Sequence, residues 1–155
     1  IIEEEIVKAD GAKSINTALG GYGAGNKAVA TRHKTIRDYC QRLQEKRGMH
    51  IVFIGHTAIE QITPPDDDAY NRYTLRMHAH SMQHYIDNVD IVAHVKLRTF
   101  VTGDGDRKKA VSTGERIITC YAEASSIAKN RYNITEDLPF GMNENPLKPY
   151  LKGDI

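Results

Sequence analysis

No stretch of this chain approaches about 18 consecutive apolar residues, which excludes a membrane-spanning helix. The opening residues Ile1-Ile2-Glu3-Glu4-Glu5 have neither the basic start nor the apolar stretch of a secretory signal. Cysteine is nearly absent. Cys40 and Cys120 each sit in an apolar pattern, and no spacing suggests a zinc site or a disulfide framework. A reducing, cytoplasmic setting is expected. Internal repeats and low-complexity tracts are missing. So is an initiator Met, and the expectation from Ile1 is that something precedes it in a longer protein.

What is present suits one domain with a real core: 155 residues, 40% hydrophobic and 26% charged. The net charge of +1 hides a polarity. Residues 1–10 carry Glu3, Glu4, Glu5 and Asp10 against Lys8. Residues 27–47 carry seven Lys/Arg against Asp38 and Glu45. Such a basic segment either faces a nucleic-acid backbone or is a solvated helix face.

Residues 1–10 read as a helix, and 11–27, five of them glycine, as a mobile loop. Val29, His33, Ile36, Cys40 and Leu43 recur at helical spacing, and Gly48 ends that helix with Lys46 and Arg47 in its last turn. The apolar run Met49-His50-Ile51-Val52-Phe53-Ile54 then predicts a strand buried on both faces of a parallel sheet. Pro64-Pro65-Asp66-Asp67-Asp68 marks a turn, Tyr70–Arg76 a short strand and His80–Asn88 a short helix. Val89–Val101 and residues 115–123 predict an antiparallel hairpin around Thr102-Gly103-Asp104-Gly105-Asp106. The last residues, with Pro139, Pro146 and Pro149, read as a wrapping tail. The fold class is α/β.

Five groups carry candidate chemistry. Gly20-Gly21-Tyr22-Gly23-Ala24-Gly25-Asn26-Lys27 fails as a phosphate-binding loop, because Asn26 separates Gly25 from Lys27 and Ala28 follows where a magnesium-holding hydroxyl is needed. His78, His80 and His84 lack the glutamate of a zinc-hydrolase helix, which leaves a structural or surface role as the main reading. Asp104 and Asp106 lack the later acids of a calcium loop. His56, just beyond the apolar run, stands where open α/β sheets bind ligands; it either senses a phosphate or caps the strand. Ala128-Lys129-Asn130-Arg131 is the most informative group. Two long cations flank an amide at a strand end, where both can reach one polyanion or simply solvate the loop.

The order of these features resembles the second half of a RecA-like P-loop ATPase core. More narrowly, it resembles the phage AAA-type nucleotide-binding proteins found with single-strand annealing recombination. The likeness runs over residues 1–140, with 141–155 as a C-terminal tail. It implies the C-terminal portion of a RecA-like sheet with flanking helices and a hairpin. It also implies ATP and Mg2+ as cofactors, a homo-oligomeric ring or filament, and single-stranded DNA as partner. His56 would be the polar sensor, and Lys129, Asn130 and Arg131 would contact the nucleotide of a neighbouring subunit. The chain departs from the family in having no Walker A sequence. It is then either the later part of a longer ATPase or a form without its own nucleotide cradle. The alternative is a non-catalytic DNA-binding or assembly module.

Overall fold

In the computed structural model, which describes residues 1–103 and 109–151, the first helix α1 spans Ile2–Asp10. Glu3, Glu4 and Glu5 occupy its first turn and Lys8 its last, each at the end where the helix dipole favours its charge. The glycine-rich stretch that follows has defined hydrogen bonds, not the open loop its composition predicts. Asp10 Oδ2 accepts from the Leu19 amide at 2.9 Å, Thr17 and Ser14 bond to one another, and a 3-10 turn covers Ala18–Gly20. Helix α2 spans Ala24–Arg47. Its second residue, Gly25, lies so close to the Ile15 carbonyl that a Cβ there would sit 2.1 Å from the oxygen. Gly48 closes the helix at φ 63°, its amide donating to Gln44 O at 2.9 Å, as the sequence indicates.

The apolar stripe of α2 is buried only at its start. Val29 and Ala30 are buried, while Ile36 and Leu43 remain exposed. The expected strand over 49–54 does not form: none of the described strands pairs with this run, and Val52 and Ile54 are 80% and 96% exposed. A strand buried on both faces needs neighbours on either side, and the described residues supply none. Phe53 is anchored. Its ring meets Tyr85 edge-on at 5.0 Å and lies 6.0 Å from the Arg37 guanidinium. Arg37 is buried and donates to the Asn88 carbonyl, and His33 Nδ1 bonds Tyr85 Oη at 2.9 Å. Tyr85 belongs to helix α3, Ala79–Ile86, which starts one residue before the sequence expectation. These segments, residues 1–58 and 75–89, form one compact unit.

The second unit comprises residues 59–74 and 90–155. Strand β1, Thr57–Ile62, pairs with β2, Tyr70–Leu75, and Arg72 bridges to Glu60 at 2.7 Å. The predicted hairpin is present as β4, His94–Thr102, antiparallel to β5, Lys109–Thr119. Asp104, Gly105 and Asp106 of its turn lie outside the described residues. The ladder runs from His94↔Thr119 to Leu97↔Arg116, shifts at Arg98, and resumes at Thr99↔Ser112. Gly114, at φ 79°, lies in that irregularity. Beyond it both strands are exposed; before it Ile117, Ile118 and Thr119 are buried. A short strand β7, Leu138–Phe140, covers the far edge of β5. Two further short strands, β3 (Ile91–Val92) and β6 (Lys129–Asn130), pair antiparallel. The core is Ile118, Cys120 and Ile134, with Ile91, Tyr132, Leu138, Phe140, Leu147 and Tyr150 packed around it. Leu147 and Tyr150 thus tie the predicted tail to the core. The class is α/β, with antiparallel ladders where the apolar run had suggested a parallel sheet.

Candidate phosphate-contacting site

The β3–β6 ladder sets Ile91 opposite Asn130 and Val92 opposite Lys129, and the Arg131 amide extends it by donating to the Asp90 carbonyl at 3.1 Å. Side chains alternate along a strand, so Lys129 and Asn130 point to opposite faces of β6, and Arg131 follows in a bend. The Asn130 carboxamide turns to the backbone. Its Nδ2 donates to Cys120 O at 2.8 Å and Ile134 O at 2.9 Å, and its Oδ1 accepts from the amides of Tyr132 at 3.0 Å and Ile134 at 2.9 Å. These are the two donors and two acceptor sites that an amide side chain possesses. They close the loop after β6, in which Asn133 takes a left-handed conformation at φ 56°.

Arg131 is thus held at both flanks while its side chain, 62% exposed, reaches outward. Its Nη1 lies 3.2 Å from Asp90 Oδ1. Lys129 is half-buried. Beneath the loop, Thr119 Oγ1 donates to Asp137 Oδ1 at 2.6 Å, and Tyr121 Oη approaches the same oxygen at 3.4 Å. Burial, then the Asp137 charge, pushes the Cys120 thiol up to about 11, so it is an inert packing group. Glu123 accepts from Lys96 at 2.9 Å and from Ser126 at 2.7 Å. Desolvation works against its charge, but these hydrogen bonds outweigh it and leave the carboxyl below its ordinary value.

His56 lies in the other compact unit. Its side chain is exposed, and its carbonyl accepts from the Arg76 amide at 2.8 Å. Gly55 precedes it with Leu75 Cδ2 so close that a Cβ would stand 2.7 Å away, and Phe53 is fixed two residues before that. Lys129, Asn130 and Arg131 are brought together, therefore, and His56 is positioned by a separate set of contacts. His78 caps α3, with its Nδ1 3.4 Å from the His80 amide, and the two rings are 5.2 Å apart. Among the described residues no three His, Cys, Asp or Glu side chains converge as a metal site would require. Sequence reasoning missed Asp90, which lies 41 residues from Arg131 and carries no signal of that pairing.

The chain is of the α/β class, and its exposed Arg131 stands just beyond a short strand, as a candidate contact for an anionic ligand. Residues 1–132 match the family described as AAA domain, and the chain belongs to that family of P-loop-type nucleotide-binding proteins. No curated protein and no solved structure matches it.

Proposed function

We propose that this chain supplies the sensor and in-trans phosphate-contacting part of a RecA-like ATPase that acts in phage-type DNA recombination. The observation that carries the reading is an exposed Arg131 directly after Asn130, whose saturated amide closes the loop on either side of it. An ammonium on a short strand and a planar guanidinium just past its end suit the oxygens of a terminal phosphate. The sequence holds no Gly-x-x-x-x-Gly-Lys-Ser/Thr run, so these residues do not provide the phosphate cradle or the hydroxyl that would hold Mg2+. Lys129 and Arg131 act instead on ATP held by a neighbouring subunit of a homo-oligomeric ring or filament, and His56 is a separate polar sensor. Bound there, the nucleotide supplies the transferable phosphoryl group; Arg131 offsets the charge that develops on it.

In the natural full-length protein, Arg131→Ala should lower DNA-stimulated ATP turnover by at least about a hundredfold while nucleotide binding is largely kept. Turnover at the wild-type rate would remove the finger role. A second reading, a non-catalytic single-stranded DNA-binding or assembly module, draws support from α2, where Lys27, Arg32, Lys46 and Arg47 are all exposed. DNA binding that weakens steeply with salt and ignores nucleotide would favour it over the first.

A further inference from the structure

We propose that Asp90 is the resting counter-ion of Arg131, which pairs with the guanidinium while no ligand is bound and gives it up to a phosphate. The inference rests on the phosphate-contacting role of Arg131 given above. The Asp90 carboxylate and the Arg131 guanidinium are 3.2 Å apart, and the Asp90 carbonyl also accepts the Arg131 amide at 3.1 Å. The two residues are therefore kept side by side by the continuation of the β3–β6 ladder, not by the chance meeting of two long side chains. Asn130 fixes the residue before Arg131 and the loop after it. The pairing leaves Arg131 well defined without a ligand.

The same pairing sets a competition. One carboxylate takes one of the five guanidinium N–H donors and neutralises its charge locally. A terminal phosphate brings more charge and several acceptor oxygens, and both partners of the pair are open to solvent, at 62% and 42% exposure. An ion pair so exposed is weak, so its release lowers phosphate affinity by only about twofold to fivefold. Asp90 thus lowers the apparent affinity of the site for nucleotide, and for other anions, by the same small factor.

The test uses the natural full-length protein in its assembled state with Mg-ATP and a fluorescent ATP analogue. Asp90→Asn keeps the size of the side chain and the backbone bond to Arg131. It should tighten nucleotide binding about twofold to fivefold, leave kcat unchanged, and have no effect on affinity in an Arg131→Ala background. A merely structural Asp90 would not give that dependence on Arg131. Weaker binding, a lowered kcat, an unchanged affinity, or the same tightening in the Arg131→Ala background would each overturn the proposal. If Asp90→Asn fails to fold, Asp90→Ser is read by the same criteria. Wild-type turnover in Arg131→Ala alone would instead remove the parent reading. Loss of turnover there, with no affinity change in Asp90→Asn, would overturn this inference and leave the parent standing.

Discussion

Asn130 joins the candidate site to the core. An asparagine between two cations reads, from sequence, as a third group for the ligand. In the folded chain its amide is spent on Cys120, Tyr132 and Ile134. Asn130→Ala would leave two carbonyls and two amides without their partner. The expected cost is about 2–4 kcal/mol, read by urea unfolding, since each stranded polar group costs about 1–3 kcal/mol and some regain water. A loss under about 0.5 kcal/mol would show that the loop closes without it. Cys120 gives a prediction in pH. Its thiol ionises near 9 when unfolded and near about 11 in the fold, so the folded state keeps a proton that the unfolded state loses. Stability should be unaffected below pH 9 and fall as pH rises from there towards 11, most simply followed by thermal midpoints of the chain beside Cys120→Ala. Equal slopes for the two would rule out the thiol as the cause.

Among the elements, α2 shows where local and tertiary preferences oppose each other. Replacing a helical glycine with alanine usually stabilises by about 1 kcal/mol. At Gly25 the new methyl carbon would meet the Ile15 carbonyl oxygen at 2.1 Å, which either displaces the loop or leaves severe overlap. Gly25→Ala should therefore lower stability by about 1–3 kcal/mol in a denaturant titration, against the propensity gain. A stabilised variant would mean the loop moves at no cost. The body of α2, its stop at Gly48 and the β4–β5 hairpin were legible because their signals are local: a 3.6-residue period, a left-handed glycine and paired β-rich runs. The run 49–54 was misread because an apolar segment states that it would gain by burial, not that a partner is present. Short strands β1 and β7 were missed, since two or three alternations carry little periodicity. Lys129 and Arg131 stood out by charge alone, whereas the Asp90 pairing and the inward turn of Asn130 depend on the β3–β6 ladder.

At the scale of the whole molecule, two units each gather their own interior contacts. Among the described residues no helix is long and apolar enough to cross a membrane. The chain's last stretch contributes to the second core, where Leu147 and Tyr150 pack against Ile118, Cys120 and Ile134. Ending the chain at Phe140 should uncover that core. The thermal midpoint should drop, and Cys120, resistant to alkylation at neutral pH in the longer chain, should become reactive. A protected Cys120 in the shortened chain would show that the core closes without the tail. The closed loop behind Arg131 also bears on how the molecule ages. Asparagine deamidates when the next residue's backbone nitrogen attacks the side-chain amide carbon, a step that needs both groups free to turn. At Asn130 the carboxamide is tethered on all sides, and the Arg131 nitrogen is held by Asp90. No asparagine in the sequence is followed by glycine, the neighbour that makes this reaction fastest. The asparagine that closes the loop after β6 is thus protected from a slow chemical change that would place a carboxylate between Lys129 and Arg131.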